Sequence, residues 1–440
     1  MKWSLIKLGE LCEVITKGTT PRTLKRGYVS SGIPFLRAEN LQGDEIILDK
    51  NTLFIDQETD EVLSRSRIYP GDVLLSIAGT IGRAAIVSAK SPQMNCNQAV
   101  AIIRIARYID KKFLLYWLKT KQAQSQIYGA QVTLTISNLS LGQIKNLQVP
   151  LPPVSEQRRI VEILEQANTL RRMRAEADAK AERILPALFI KMFGDPSTNP
   201  IGWDVVLVEK LFSRERPGTK CGPFGSALKK HEYVDNGIPV WGIDNIKPNQ
   251  FVESGSLFIT PTKYEELKSY SVEPGDIIIS RAGTVGRMCV ARPQHSHSII
   301  STNLIRLSLD KEYIFPEYFT SLLSYFPSLV NQLRASADDG AYSFMNTTIL
   351  KLLKIPLPPF ALQNEYTLRM AEIRRLNAKQ IESQAKLNNL FQCLLYRAFS
   401  GELTAKWREA HMKELLAEME EQAKALNLRD NTDPQQLSLL

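Results

Sequence analysis

Cysteine is scarce in this 440-residue chain: five residues, Cys12, Cys96, Cys221, Cys289 and Cys393, odd in number, scattered and without a Cys-x-x-Cys pair. That spacing argues against a disulfide framework and a structural zinc site, and leaves the thiols as reduced packing residues. Histidine is rarer, four in all, and His295 with His297 lacks partners at metal-ligand spacing, which makes that stretch an exposed loop and the expected metal set empty. No apolar run approaches the roughly 18 residues of a spanning helix, and Lys2, Lys7 and Glu10 interrupt the first ten positions where a signal peptide needs an apolar core. The expectation is a cytoplasmic protein without membrane contact.

The familiar catalytic signatures are missing too. No Gly-Lys dipeptide occurs, which excludes a Walker A phosphate loop, and there is no Gly-x-Gly-x-x-Gly, His-Glu-x-x-His or Gly-x-Ser-x-Gly. An Asn-Pro-Pro-aromatic motif of the amino-methyltransferase kind is absent. Asp72 and Asp276 each follow Pro-Gly, but no Glu-x-Lys follows to make a nuclease site, so they read as turn residues. The glycines Gly79 and Gly82 have twins at Gly283 and Gly286 in the same hairpin context, which fits a scaffold turn better than a nucleotide loop. No cofactor is expected on this chain.

What is present is positive charge and a long repeat. The net charge is +9, and residues 1–150 carry most of it, with 19 Lys+Arg against 12 Asp+Glu. Such a balance suits an anionic partner and equally suits simple solubility. The repeat is less ambiguous. PGDVLLSIAGTIGR from Pro70 and PGDIIISRAGTVGR from Pro274 agree at nine of fourteen positions; GIPFLRAENLQ from Gly32 faces GIPVWGIDNIK from Gly237, and VPLPP from Val149 faces IPLPP from Ile355, all 204 to 206 residues apart. A period near 200 is too long for a solenoid and describes one domain plus a helix, duplicated.

Before each Pro-rich stretch, short β-type runs broken by Gly, Pro and Asn predict a mixed domain: a hairpin of 72–78 and 84–87 packed on helices such as 111–128. After it, Ile160, Ile163, Ala167, Leu170, Ala177, Ala181, Ile184 and Leu188 recur on steps of three and four, a seam interrupted by Arg174. Ser155 is placed to cap this helix, which would reach Phe193 with a kink at Pro186. The second copy gives Tyr366, Ile373, Leu376, Leu387, Leu390 and Leu394, with polar Gln380 and Ser383 between. These stripes allow either an antiparallel coiled-coil pair related by a pseudo-two-fold or two helices each packed on its own domain. The fold class is α+β: two mixed α/β domains joined by two long helices. The expected segments are 1–153 and 200–358 for the domains, 154–199 and 359–410 for the helical spacers, and 411–440 for a tail, with a last helix over 404–426.

The order of pieces resembles the specificity subunit of type I restriction-modification enzymes: a domain, PLPPVSEQRRIVEILEQ, MFGD, a second domain opening GWDVVLVEKLF, a second PLPP helix and AFSGELT from Ala398. The resemblance spans nearly the whole chain. It implies two target recognition domains, each reading half of a bipartite site on double-stranded DNA, held apart by two antiparallel helices. It also implies two methyltransferase subunits that carry S-adenosylmethionine and methylate adenine, and two motor-nuclease subunits that carry ATP and magnesium, so that this chain itself is not an enzyme. Ala361 and Leu362 depart from the first copy, where Ser155-Glu156 begins the helix. The alternatives are a recognition module of another restriction-modification class, a self-sufficient methyltransferase or nuclease, and a tandem protein-binding scaffold.

Base edges are read by Arg, Lys, Asn, Gln, Ser and Thr, and phosphates by Lys and Arg. The loops that differ between the copies, TKGTTPRTLKRGY from Thr16 and GTKCGPFGSALKKHEY from Gly218, are rich in them. Candidate DNA contacts are Thr20, Arg22, Lys25 and Arg26 in the first and Lys220, Ser226, Lys229 and Lys230 in the second. Arg37, Asn40, Arg83, Asn245, Arg281 and Arg287 come next, followed by Thr133, Ser137, Ser343 and Asn346 near the domain ends. For any one of these, a solvated surface or turn role is at least as good an account.

Overall fold

Short aliphatic runs with β-branched residues, bounded by Gly, Pro and Asp, form strands covered on both faces, which is why they lack a polar side. The structure is a computed structural model that describes residues 3–129, 138–224, 227–247, 250–255, 257–281, 285–326, 328–329 and 346–426. The chain divides into two compact units, Met1–Ala175 with Ser383–Leu440, and Glu176–Glu382. The division falls inside both long helices, Val154–Ala181 and Phe360–Phe399.

In the first unit a four-stranded antiparallel sheet runs Cys12–Lys17, Val100–Ile105, Val73–Ser76, Ala84–Ile86, with Ile102 facing Thr16 on one side and Leu74 on the other. Alternate residues split between two cores. Val73, Leu75, Ala101 and Ile103 share one with Phe113, Leu114 and Trp117 of helix Lys111–Leu118, while Leu74, Ala85, Val100 and Ile102 share the other with Leu36, Ile68 and Cys96. The expected helix over 111–128 is two helices: it stops at Leu118 and restarts at Lys121, with the Thr120 hydroxyl donating to Trp117 O and accepting from Ala123 N. A separate three-stranded sheet runs Leu53–Ile55, Ile33–Leu36, Asn95–Cys96, and Ser4–Lys7 pairs with Gln148–Leu151.

The second unit carries the same set in the same order. Its central sheet is Thr219–Cys221, Leu304–Leu307, Ile277–Ser280, Met288–Val290; its smaller sheet is Leu257–Ile259, Ile238–Trp241, Ile299–Ile300; and Asp204–Leu207 pairs with Lys354–Leu357. The Pro-Gly-Asp turns do what the sequence suggested and more. Asp72 accepts from Tyr69 N at 2.8 Å and is gripped by Arg104 through two bonds of 2.8 Å; Asp276 accepts from Glu273 N at 2.8 Å and from the Ser308 hydroxyl at 2.5 Å. Gly71 and Gly275, at φ +91° and +94°, supply the left-handed step these turns need.

Each Pro-Pro stretch hands its domain to a long helix through a buried glutamine. Gln157 accepts from Asp110 N and donates to Tyr108 O and Pro152 O, each at 2.8 Å. Gln363 repeats this on Phe315 N at 2.9 Å, Tyr313 O at 3.3 Å and Pro358 O at 2.8 Å. Ser155 is not the helix cap. The helix begins at Val154, and both the main-chain N–H and the hydroxyl of Ser155 donate to Glu418. Beyond kinking the helix, the stretch around Pro186 breaks it: the first segment ends at Ala181 and a second, Ile184–Phe193, begins. The last helix is likewise two, Ala405–Ala410 and Met412–Ala425, separated where His411 leaves helical geometry and stacks on Trp407.

The helix seam differs in detail from the apolar pattern. In the first unit the packed face passes through Ile160, Leu164, Ala167 and Arg171, whose guanidinium lies 4.3 Å from the Phe391 ring centroid and bonds Asn388 at 2.9 Å. Ile163 is half-buried and Leu170 is 55% exposed, because the helix turns its face one residue away from them. Ala177, Ile184, Leu376 and Leu390 are exposed too, while Leu188, Ile373, Leu387 and Leu394 are half-buried. In the second unit the packing comes from aromatics, with Phe189 and Phe193 meeting Tyr366 at 5.5 and 5.3 Å. Arginine on a packed face and leucine off it are indistinguishable from their opposites in a pattern of apolar letters.

The first unit is also closed by a buried ion pair. Glu156 accepts from Arg408 Nε at 2.9 Å, the Thr404 hydroxyl at 2.6 Å and Trp3 Nε1 at 3.1 Å. In the second unit Leu362 takes this position, and it packs on the core there. Removing one charge from a buried pair costs about 3–5 kcal/mol, whereas replacing both by apolar groups is often neutral. Arg408→Met is therefore expected to lower stability by about that amount, and Glu156→Leu with Arg408→Met to recover most of it. Chemical denaturation of the full chain measures both, and equal losses in the single and double variants would show that the pair does not act as a unit.

Candidate nucleic-acid interface

The two loops that differ most between the copies spring from equivalent glycines. Gly18 N donates to Val100 O at 3.2 Å, and Gly222 N donates to Leu304 O at 2.9 Å. A Cβ on Gly18 would lie 1.9 Å from Cys96 O, and one on Gly222 1.9 Å from Ser301 O, so no other residue fits at either foot. The strand registers agree: Thr16 faces Ile102 in the first unit as Lys220 faces Arg306 in the second.

From Gly18 the first loop enters a short 3-10 turn, Pro21–Leu24, ended by Lys25 at φ +58°. The Thr20 hydroxyl bonds the Gln98 side chain. Arg22 and Lys25 are exposed, and Arg26 pairs with Glu58 at 2.6 Å, holding that carboxyl below the usual carboxylate range. Arg83 is exposed in the hairpin turn, where its N–H donates to the Ser76 hydroxyl at 2.9 Å. Arg37 is half-buried and engages Glu39 and Asn51 O.

In the second unit, the Lys220 ammonium sits 4.7 Å from the Tyr270 ring centroid and the Arg281 guanidinium 4.7 Å from that of Phe224. Burial raises the pKa of the Cys221 thiol, and both charges act against that rise without reversing it. Lys229 and Lys230 are exposed, and Arg287 reaches Ile246 O at 3.5 Å. Each unit thus presents lysine and arginine around a loop whose base is fixed by backbone contact, an arrangement that can meet phosphates and base edges.

Three candidates have structural work instead. Asn40 is buried, accepting from Arg37 N at 2.8 Å and donating to Ile47 O at 3.0 Å; Asn245 is buried and does the same with Gly242 N at 2.7 Å and Val252 O at 2.8 Å. Each ties a turn to itself through these bonds. Asn346 caps the helix Thr347–Leu352 by accepting from Ile349 N at 2.8 Å. Thr133, Ser137, Ser226 and Ser343 lie outside the described residues. The sequence reading missed Gln98 and Phe224; their signal is position, since each stands beside a loop that is unlike its twin.

Among the described residues, no group of three or more His, Cys, Asp and Glu is placed to hold a metal ion, and no helix is long and apolar enough to cross a membrane. Burial pushes the thiols of Cys12, Cys96 and Cys289 up to about 12, whereas Cys393 is exposed and does not pack. His295 lies 3.9 Å from Glu253 and His297 contacts Tyr264.

The sequence profile of the family described as "Type I restriction modification DNA specificity domain" matches residues 1–177 and 224–388. The type I restriction enzyme EcoKI specificity subunit of Escherichia coli is 23% identical over 404 residues, 86% of this chain and 83% of that protein. The EcoBI specificity subunit, also from Escherichia coli, is 23% identical over 435 residues, covering 92% and 87%. A solved chain described under "complex assembly and conformational transition of the type I R-M system" shares the fold at a TM-score of 0.59 and 20% identity, covering 91% of this chain and 98% of that one.

The buried asparagines and the exposed lysines should behave differently. Asn40→Ala or Asn245→Ala leaves main-chain groups unpaired and is expected to cost about 1–3 kcal/mol of stability with base preference unchanged. Lys229→Ala with Lys230→Ala should weaken binding to any duplex and flatten the slope of log affinity against log salt by about 0.9 per lost phosphate contact. Urea denaturation and salt titration of a labelled duplex read the two effects, and a shifted base preference in the asparagine variants would sink their scaffold assignment.

Proposed function

Since the chain belongs to the type I restriction-modification DNA specificity family and serves as its sequence-specificity subunit, we propose that each unit reads one half of an asymmetric bipartite target. One observation carries this reading: the units share their sheets, Pro-Gly-Asp turns and glycine loop feet, yet the loops that leave those feet carry unlike side chains. A common scaffold with different heads suits two different base sequences. The chain supplies recognition. Methyl transfer with S-adenosylmethionine and ATP- and magnesium-dependent translocation and cleavage fall to partner subunits, two methyltransferases and two motor-nucleases in the full complex.

The long helices then act as an antiparallel coiled-coil spacer in a pseudo-two-fold tandem repeat. Supporting this, Ile160 and Leu164 share a core with Leu395 and Ala398 in the first unit, and Phe189 and Phe193 stack near Tyr366 in the second. In each case an earlier stretch of chain runs against a later one.

Two outcomes follow for the complex assembled with its methyltransferase. Replacing residues 1–150 by the equivalent domain of a relative should change one half of the methylated sequence and leave the other, as methylome sequencing would record; changes in both halves would mean the units are not separate readers. Inserting a heptad into both Val154–Ala181 and Phe360–Phe399 lengthens each by about 10 Å, close to three base pairs. Methylation of a plasmid library varying only in spacer should then favour a gap longer by about three base pairs. An unchanged preference in protein that assembles would make the helices mere connectors.

A further inference from the structure

The equivalence of the two loop feet allows their contents to be compared residue by residue. Counting from Gly18 and Gly222, Thr20 and Phe224 occupy the same place, and with the same 204-residue offset Arg281 stands where the first unit has Ile77. Ile77 is buried in the first unit's core, so that unit has no cation at this place. Its loop is instead tied by the polar pair Thr20 and Gln98. The second unit puts a phenyl ring there and lays a guanidinium against it.

Phe224 is 54% exposed although the two residues before it, Gly222 and Pro223, are buried. A phenyl ring this exposed, two residues beyond a backbone-pinned foot, does not contribute to the core. Arg281 covers one side of it at 4.7 Å from the centroid, and its own main chain is fixed by donation to Asn303 O at 2.9 Å. Stacking on an aromatic sets the plane of a guanidinium, so that its fork of donors is aimed before any ligand arrives. Lys220, whose charge with that of Arg281 acts on Cys221, adds a second cation beside this pair, and Lys229 and Lys230 follow exposed in the same loop segment, charges of the kind a phosphate backbone needs.

We propose that Phe224 and Arg281 together form a specificity-determining head of the second unit: Arg281 donates to the N7 and O6 acceptors of a guanine, and Phe224 packs on the C5-methyl of a neighbouring thymine. This rests on the reading that the second unit contacts one half-site. The chemistry follows from the major groove, where guanine alone offers two acceptors in line for an arginine fork and thymine alone offers a methyl group to an apolar side chain. The first unit, with the Thr20 hydroxyl bonded to Gln98 where the second has Phe224, reads without a methyl sensor there.

The test uses the complex assembled with its methyltransferase and duplexes carrying its mapped target. Single thymine-to-uracil replacements remove only a methyl group, and guanine to 7-deazaguanine removes only N7. One thymine in the second half should lose about fourfold in affinity on becoming uracil, the value of one buried methyl group. Phe224→Ala should lose the same factor and become indifferent to that replacement, while Phe224→Leu retains part of the discrimination. Arg281→Ala should bind about tenfold or more weakly and no longer distinguish guanine from 7-deazaguanine. Discrimination in the first half stays unchanged throughout, which also shows that the variants are folded. Phe224→Ala that still separates thymine from uracil, Arg281→Ala that still senses N7, or a second half without thymine or guanine would each overturn the proposal. Failure of the half-site reading has a different signature: these variants would then alter discrimination in the first half as well.

Discussion

Where each domain meets its long helix, a proline pair leaves the chain short of donors, and three main-chain groups from two segments converge there. A single carboxamide satisfies all three. Gln157 does so for Asp110, Tyr108 and Pro152, and Gln363 for Phe315, Tyr313 and Pro358. Because an amide is planar and presents donor and acceptor on opposite edges, it fixes the helix start both in position and in direction. The course of each helix away from its own domain depends on this grip, as does the packing of Ile160 and Tyr366 one turn further on.

The first unit adds a second constraint that its counterpart lacks. Glu156 draws Trp3, Thr404 and Arg408 to one buried carboxylate, so that chain from three remote stretches closes a single core. Leu362 in the second unit leaves an ordinary apolar contact. The departure of the second helix start from the first is thus a difference in what must be bound there, with helix initiation itself preserved by the glutamine.

Much of the scaffold was legible in the sequence because duplicated motifs mark duplicated turns. The Pro-Gly-Asp stretches, the hairpins after them and the Pro-Pro junctions all appear where the repeat puts them. The same repeat held a lesson about the site that polar composition obscured. Asn40 and Asn245 are alike in both copies because both tie a turn together, whereas Thr20 and Phe224 differ at equivalent places. On the proposed reading, likeness between the copies points to support and difference to readout. The seam was harder to read, since Arg171 lies on the packed face by stacking on Phe391 while Leu170 faces outward, and hydrophobicity alone ranks them in the opposite order. Breaks at Ala181 and His411 depended on local geometry that helical periodicity does not encode.

The feet of the reading loops are held by main-chain atoms alone: an N–H to a carbonyl, and a glycine too close to its neighbour to carry a side chain. On the proposed reading of half-sites, a loop rooted in a main-chain bond and a foot glycine can exchange its side chains while that root stays in place. Each unit keeps its own foot, so on the same reading what one loop carries can change independently of the other.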